Sequence, residues 1–389
     1  MNIREALKDP AKKSHGFDLF YAFKKAYYKL DTAPRKIVLV AYLMYKIKYM
    51  HVSEVSYGEE LFQRLEIPER IKNFLLENIE EDTWEAVKYL LDKYTEEDFA
   101  LGVFAEREIE PYYRGMIFAE SESINKLACR LLNIEEGDKV ADLCSGIGTF
   151  ITDCITEGFD AEYTGYEVSE EAYILAEIRA ELLGKKVNFY RQDMLSINPS
   201  AIGAKYNKII AEYPLGMKVK DMKEDTVYLQ YFKRVHPEIS KVVDLDWIFN
   251  SLMCELLEEN GKAIGITTVG YLFNTHEIAI REYFIAQGLI ECVIALPQGI
   301  LYGNTCPPVM IVFSHRKNNE VRFVNAKNIY KKGCRGNELT DENVEEIIKA
   351  VENDTLYSRK VSLEKIRENN YSLNVGWYLV NEHEENLNR

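Results

Sequence analysis

Cysteine is scarce in this chain, and none of its seven cysteines stands in a Cys-x-x-Cys pair. This argues against a disulfide framework and a paired-thiolate zinc site, and it fits a reducing compartment. The six histidines show no metal-ligand spacing either. The longest apolar run, Ile37 to Tyr45, lies between two lysines and is too short to span a bilayer. We therefore expect a cytoplasmic protein with no metal centre and no membrane segment.

Two common signatures are also missing, because the chain has no Gly-x-Ser-x-Gly elbow and no P-loop. Positive charge is in deficit: 48 Lys and Arg stand against 63 Asp and Glu, a net charge of −15, which does not favour generic nucleic-acid binding. The first 52 residues differ, with eleven Lys or Arg, four acids and interleaved tyrosines. They form either a basic face for phosphate contact or solvated helices whose tyrosines pack inward.

The spacing of apolar residues changes along the chain and predicts two kinds of region. Over 1–109 apolar residues recur every three to four positions, which predicts short helices packed as a bundle. Further on, strands and helices alternate, beginning with a buried strand at 139–144 and a helix at 147–156. This alternation predicts a doubly wound α/β fold over 110–330.

A glycine loop follows the first predicted strand. Asp142, Gly146 and Gly148 make an Asp-x-x-x-Gly-x-Gly arrangement, in which glycines let the backbone turn tightly from strand to helix beside a ligand. Taken alone, such a loop is equally a plain turn. A dinucleotide site would have a third glycine where this chain has Ile151, and it has no need of Phe150, so the loop argues against a dehydrogenase.

Two more acids are predicted at the ends of the following strands. Glu167 comes 19 residues after Gly148, a suitable reach for ribose hydroxyls, and Asp193 is placed to contact an adenine amino group. Together with Asp142 they make three acids at successive strand ends, on the side where open α/β sheets bind ligands. The sequence therefore predicts a nucleoside-containing cofactor.

These segments resemble the N6-adenine DNA methyltransferases that serve as modification subunits of type I restriction–modification systems. The stretch from Asp142 to Phe150 is similar to the family motif Asp-Pro-Ala-Cys-Gly-Ser-Gly-Gly-Phe, and the family's ribose-binding acid falls on Glu167. Residues 295–305 resemble a hallmark after a late strand, and 370–375 resemble the closing Asn-Asp-Tyr-Asn-Leu-Asn-Ile. The likeness covers about 110–380.

The resemblance implies a helical N-terminal domain over 1–109. It implies a mostly parallel, seven-stranded, Rossmann-like methyltransferase domain over 110–330, and a C-terminal helical extension over 331–389 packed on that domain. S-adenosylmethionine is the implied cofactor. DNA and a specificity or homologous methyltransferase subunit are the implied partners, in a hetero- or homo-oligomer. The implied cofactor-binding residues are Asp142, Gly146, Gly148, Phe150, Glu167, Asp193 and Phe118.

The catalytic tetrapeptide departs from the family pattern. Where relatives have Asn-Pro-Pro-Phe or Asp-Pro-Pro-Tyr, this chain has Glu212-Tyr213-Pro214-Leu215. Glu212 is one methylene longer, and about 1 Å of misplacement can cost on the order of a hundredfold in rate. Leu215 has no π-face for the flipped adenine, and stacking contributes about 1–3 kcal/mol per base. Tyr213 is an aromatic residue one register away that we expect to compensate in part.

A second departure precedes the glycine loop. The family's Gly-Gln-Phe-Tyr-Thr-Pro, which helps to hold the cofactor carboxylate, corresponds to residues 115–120 and includes Phe118. Ala119 replaces the threonine, and Glu120 adds a negative charge where the carboxylate is expected. This departure predicts weaker cofactor binding.

Two classes of function remain after these comparisons. The first is an adenine-N6 DNA methyltransferase of a DNA-modification system, acting with a partner that supplies sequence specificity. The alternative is a catalytically inactive relative, a scaffold that binds nucleic acid or an active homologue through its basic N-terminal face or through residues 218–241. A methyltransferase for another acceptor is a third hypothesis, because it would not need the Asn/Asp-Pro-Pro-aromatic set.

Overall fold

The computed structural model describes most of the 389 residues. The described ranges are 2–27, 34–52, 56–105, 121–203, 205–221, 226–239, 241–242, 244–301, 306–333 and 336–379. The chain divides into two compact units. The helical unit comprises residues 1–119, 146–158 and 169–187, and the sheet unit comprises residues 120–145, 159–168 and 188–389.

The α-helices of the described residues are numbered in chain order. They are α1 Ile3–Lys8, α2 Pro10–Ala26, α3 Pro34–Tyr49, α4 Glu59–Arg64, α5 Glu69–Asn78, α6 Glu81–Val87, α7 Glu96–Phe104, α8 Glu122–Leu132, α9 Thr149–Glu157, α10 Glu170–Leu182, α11 Pro199–Ile202, α12 Val227–Val235, α13 Leu245–Leu256, α14 Ile278–Ala286, α15 Asp341–Glu352 and α16 Leu363–Glu368. Across those residues, no helix is both long and apolar enough to cross a membrane.

Close packing around α3 organises the helical unit. Its residues from Ile37 to Met44 are all buried, as expected of a helix that is apolar on every side. Helix α7 lies close to α2 and α3 because it carries Gly102: a Cβ there would meet Leu19 Cδ2 at 2.6 Å and Ala41 Cβ at 3.3 Å. The helix begins at a capping box in which Thr95 and Asp98 bond each other's backbone N–H groups.

Several basic residues of the N-terminal stretch make contacts inside the helical unit. Lys12 Nζ bonds Glu97 Oε1 at 2.7 Å, and the largely buried Lys46 bonds Glu181 Oε1 at 2.7 Å. Tyr42, which is fully buried, donates its hydroxyl to the other Glu181 oxygen at 2.6 Å. These cations therefore neutralise acids of the same unit, an arrangement that neither interpretation of the basic stretch foresaw.

The strands of the sheet unit are listed in chain order. They are β1 Lys139–Asp142, β2 Glu162–Glu167, β3 Asn188–Arg191, β4 Tyr206–Ala211, β5 Leu257–Thr268, β6 Ile290–Ala295, β7 Pro308–Ser314, β8 Glu320–Asn325, β9 Lys331–Lys332, β10 Asn337–Glu338 and β11 Ser358–Ser362. Strands β9 and β10 form a separate two-stranded ribbon.

The other nine strands form one sheet in the order β11-β8-β6-β7-β5-β4-β1-β2-β3. Strands β3, β2, β1, β4 and β5 run parallel, whereas β7 is antiparallel to both of its neighbours. The doubly wound, mostly parallel α/β fold predicted from the sequence is confirmed. The expected count of seven strands is wrong by two, because β8 and β11 extend the sheet beyond β6.

The strand ends define two opposite edges of the sheet, one at the carboxyl ends of the parallel strands and one at their amino ends. The carboxyl ends of the five parallel strands lie together at one edge, which is where open α/β sheets bind ligands. Asp142 pairs with Gly165 of β2 and Ile210 of β4, so the residues that follow these strands emerge beside one another. Chain beyond residue 331 contains α15 and α16 and also contributes β11 to the sheet.

Candidate active site

Three predicted acids stand at the carboxyl ends of β1, β2 and β3. Asp142 is fully buried, and its Oδ1 accepts a bond from Cys144 N at 3.1 Å. Glu167 is the last residue of β2 and is largely buried. Asp193 follows β3 and caps a short 3₁₀ turn, accepting from Leu195 N at 2.9 Å. The structure thus gathers these three carboxylates on adjacent strands.

The glycine loop continues directly from β1 into α9. Gly146 has φ +52° and Gly148 has φ +76°, left-handed conformations that favour glycine. No atom among the described residues lies within 4 Å of the position that a Gly146 Cβ would take. Gly148 caps α9, and its carbonyl accepts from Thr152 Oγ1 at 2.8 Å. Phe150 is fully buried, whereas the predicted cofactor residue Phe118 lies outside the described residues.

The predicted tetrapeptide follows β4 at the same edge of the sheet. Glu212 and Leu215 are partly buried, and Pro214 is exposed. Tyr213 differs from them because only 1% of its surface is exposed. The four side chains of the tetrapeptide therefore do not share one environment.

Tyr213 is fixed inside the sheet unit. Its hydroxyl donates to Asn250 Oδ1 at 3.1 Å, and its ring stacks on Phe249 with centroids 5.3 Å apart. Burial is the main reason that the pKa of its phenol rises well above the usual value. We expected this ring to compensate for the missing aromatic at Leu215, but its core position does not favour that role.

A polar cluster that our sequence reasoning missed lies beside Tyr213. Asp246, in the first turn of α13, is 1% exposed, and its Oδ2 accepts from Thr267 Oγ1 at 2.5 Å. Thr267 also forms a hydrogen bond that lowers the pKa of Tyr213. The other oxygen of Asp246, Oδ1, is buried and has no hydrogen-bond partner among the described residues.

Burial raises the pKa of Asp246 to about 7. The negative charge of nearby Asp244 raises it further, while the Thr267 hydroxyl and the Lys218 ammonium lower it. A carboxyl with this pKa exchanges its proton near neutral pH, which is unusual for an aspartate. Burial also raises the pKa of Tyr271, to about 12, with smaller contributions from both aspartates.

Asp244 is the second buried acid of the cluster. Lys218 Nζ forms an ion pair with it, and Asn274 Nδ2 donates to its Oδ2 at 3.3 Å. Its backbone N–H donates to Glu277 Oε1 at 2.8 Å. Lys218, in the segment 218–241 suggested for binding nucleic acid or a homologue, is thus paired with an acid of the same chain. The Asp-x-Asp spacing at 244–246 was the available signal, and our sequence reasoning assigned it no role.

A cavity of about 860 Å³ lies at the opposite edge of the same sheet. Its lining includes Lys205 before β4, Leu257 at the start of β5 and Leu289 before β6, which places it at the amino ends of these strands. Glu255, near the end of α13, also lines it and accepts from Tyr228 Oη at 2.9 Å. Among the described residues, no group of acids, histidines and cysteines is arranged to hold a metal ion.

Comparison with known proteins identifies the family to which the chain belongs. A solved structure of a type I restriction-modification methyltransferase subunit from Streptococcus thermophilus aligns over 93% of this chain and 98% of its own, with a TM-score of 0.68 and 17% identity. At that identity the likeness shows the fold alone. A family model described as N-6 DNA Methylase matches residues 98–386. The chain belongs to this family.

Two relatives come from Methanocaldococcus jannaschii. The type I restriction enzyme MjaVII methylase subunit is 28% identical over 342 residues, covering 77% of this chain and 57% of its own length. The MjaVIII methylase subunit is 24% identical over 376 residues, covering 86% of this chain and 62% of its own length. The chain therefore spans less than two thirds of either relative.

Proposed function

We propose that the chain is an S-adenosylmethionine-dependent adenine-N6 DNA methyltransferase subunit of a type I restriction–modification system. The observation that carries this proposal is the order of polar residues along one edge of the sheet. Asp142 and Glu167 end β1 and β2, Asp193 follows β3, and Glu212 follows the adjacent β4. Membership of the N-6 DNA methylase family supports it, as do relatives described as methylase subunits.

The residues at this edge fit the proposed cofactor. Glu167 offers a largely buried carboxylate that can accept from ribose hydroxyls. The described residues, apart from its chain neighbours, leave the space at a Gly146 Cβ open to 4 Å, which gives a ligand room close to the backbone. Asp193 accepts from Leu195 N and Ser196 Oγ, and an aspartate oxygen can accept a second hydrogen bond from an adenine amino group. We assign Asp142, Gly146, Gly148, Glu167 and Asp193 as the residues that hold it.

When bound, S-adenosylmethionine supplies an electrophilic methyl group. The part of the chain is to present the target amine. Glu212 is assigned as the acceptor of an amine N–H, together with the carbonyl of Pro214, so that the nitrogen lone pair points at the methyl carbon. The N–C bond would form as the S–C bond of the sulfonium breaks, and the Glu212 carboxylate would accept the amine proton that must leave.

Base stacking is the weak part of the site. Leu215 offers an aliphatic surface in place of a ring, and the Tyr213 ring is buried. We expect a slow enzyme, because stacking of about 1–3 kcal/mol is missing. DNA as substrate, a specificity or homologous partner subunit, and the division into domains 1–109, 110–330 and 331–389 belong to the same proposal.

Calorimetry with S-adenosylmethionine tests the cofactor assignment. The wild-type chain should bind it, and Asp142→Ala should lower the affinity at least tenfold, because a buried carboxylate at the loop is lost. An Asp153→Ala variant, in the middle of α9, serves as a control with the same change of charge. Equal heats from wild type and Asp142→Ala would contradict the assignment.

Transfer of a tritiated methyl group to adenine-containing DNA tests the reaction, with the chain alone and with its co-encoded subunits. We expect incorporation at adenine N6 that is lost in Glu212→Ala. If incorporation survives that substitution, Glu212 is not part of the mechanism.

A further inference from the structure

We infer that Tyr213, Thr267 and Asp246 form a positioning network that holds the tetrapeptide in place from within the core. This inference rests on the proposed function, because it assigns a task to the residue that stands where the family has its first proline. Tyr213 and Asp246 are then positioning residues, and neither touches the substrate.

The anchor is the Tyr213 side chain. A proline at this position restricts the backbone because its ring fixes φ near −65°. A tyrosine leaves φ unrestricted, so another constraint must take over. Here the ring is 1% exposed, stacks on Phe249 and donates its hydroxyl to Asn250. Contacts of the side chain with α13 therefore immobilise the backbone that carries Glu212 and Pro214.

The seat for this ring depends on a glycine of β5. A Cβ at Gly265 would lie 2.5 Å from Asn250 Oδ1, 3.0 Å from Met253 Cε and 3.1 Å from Tyr213 Oη. The φ of Gly265 is not in the left-handed region, so the position requires the small size of glycine and not its conformational freedom. Glycine at 265 and tyrosine at 213 are therefore complementary in size.

The hydroxyls of the network can be followed proton by proton. Tyr213 donates to Asn250, so its oxygen can accept a bond from Thr267. The Thr267 hydroxyl has a single proton, and when Asp246 is ionised this hydroxyl donates its one hydrogen bond to Asp246 Oδ2. A protonated Asp246 instead donates to Thr267 Oγ1, and Thr267 then donates to Tyr213. Only this state completes a chain from Asp246 to Asn250 in which each hydroxyl donates once and accepts once.

The surroundings of Asp246 favour the protonated state near neutral pH. Its Oδ1 is buried without a hydrogen-bond partner among the described residues, which penalises a charge. Among the described residues, the charged and titratable groups around it are Asp244 and Lys218 from the loops before α13, Tyr213 after β4 and Tyr271 after β5. Its pKa of about 7 places the change of state within the working range of an enzyme.

Methyl transfer measured under single-turnover conditions from pH 6 to pH 9 tests the network. In the wild type we expect the rate to fall as pH rises through about 7, because ionised Asp246 withdraws the Thr267 proton from Tyr213. Asp246→Asn should remove this fall, since its amide donates to Thr267 at every pH. In steady-state assays, Tyr213→Phe should lower kcat about tenfold with little change in KM for DNA.

Tyr228→Phe is the matched control, because Tyr228 is also a buried tyrosine whose hydroxyl bonds a carboxyl near α13's other end. It should leave the rate and its pH dependence unchanged. Equal pH profiles for wild type and Asp246→Asn, or an unchanged kcat in Tyr213→Phe, would overturn the inference.

A second measurement does not require activity. With aspartate labelled at the carboxyl carbon, NMR should show Asp246 titrating near pH 7, and both Thr267→Val and Tyr213→Phe should move that titration. Titration near pH 4, or a titration that neither variant moves, would reject the network even if methyl transfer occurs. A wild-type chain that never methylates DNA but shows the coupled titration would reject the proposed function alone.

Discussion

Helix α13 carries a carboxyl near each end, the buried Asp246 and the partly buried Glu255, and the two ends differ in what surrounds them. Asp246 lies in the first turn, where the helix dipole favours an anion, and Glu255 lies in the last turn, where it does not. Burial raises the pKa of both. Two tyrosines, Tyr228 and Tyr231, hydrogen-bond Glu255 and lower its pKa, and Lys205 acts in the same direction.

Packing explains why the dipole does not decide the outcome. Asp246 has one hydroxyl partner and a second oxygen without one among the described residues, whereas Glu255 lines an open cavity and accepts from two phenols. Solvent and two phenols reduce the penalty at Glu255, whereas at Asp246 the Thr267 hydroxyl and the Lys218 ammonium offset only part of it. One helix can therefore hold a hydrogen-bonded carboxylate, Glu255, at one edge of a sheet and a carboxyl that changes its protonation near neutral pH, Asp246, at the other.

The largest effect on the free energy of unfolding is expected when the carboxyl of Asp246 is replaced by a neutral amide. The folded-state pKa of Asp246 lies above its usual value near 4, so the folded chain keeps a proton that the unfolded chain releases. The stability that this proton contributes is fully present below about pH 4 and is lost as pH rises through about 7. Asp246→Asn should remove this loss and increase the free energy of unfolding at pH 8 by up to about 4 kcal/mol.

Urea unfolding followed by circular dichroism, at pH 5 and pH 8, measures this difference. Glu255→Gln should give a smaller gain, because the wild-type carboxylate already has two hydroxyl donors and contact with the cavity. A gain at Glu255 as large as at Asp246 would remove the distinction between the two ends.

An intermediate effect is expected when the seat of Tyr213 is filled. Gly265→Ala places a methyl group 2.5 Å from Asn250 Oδ1 and should destabilise the fold by about 1–3 kcal/mol through overpacking. Gly270→Ala is the control, because a Cβ there meets no atom of the described residues within 4 Å. Unfolding midpoints decide the prediction, which fails if the two alanine variants are equally stable.

The smallest effect is expected at the Glu255 end. Tyr228→Phe removes one hydrogen bond to Glu255 and should lower the free energy of unfolding by about 1 kcal/mol. The apparent pKa of Glu255 should rise as the hydroxyl is lost, because that bond stabilises the charged form. Unfolding as a function of pH measures both changes, and a more stable variant would contradict this view of the contact.

Much of the fold could be predicted because it depends on local patterns. The change from helical spacing to alternating strands predicted the α/β region, and strand ends were placed closely enough to gather Asp142, Glu167 and Asp193. Strand β11 was missed because its sequence, Ser-Arg-Lys-Val-Ser, is mostly polar and alternates weakly. Such edge strands are recognised by their partner, which the sequence alone does not provide.

The candidate site was harder to predict because its key contacts join distant segments. The burial of Tyr213 depends on Gly265, 52 positions later, and on Asn250 and Phe249 of an intervening helix. Asp246 became notable only when β5 brought Thr267 to its side. In the helical unit, the basic N-terminal stretch likewise acquired its meaning from distant acids such as Glu97 and Glu181.

The position of β11 has a consequence for biosynthesis. The strand lies at one end of the nine-stranded order and pairs with β8, and it is the last of the described strands along the chain. During translation, at about 5–20 residues per second, the β8 edge with buried Val321 and Phe323 stays unpaired for seconds until residue 362 leaves the ribosome. A nascent chain in that interval exposes a template for intermolecular pairing, so its solubility depends on how promptly the last strand arrives.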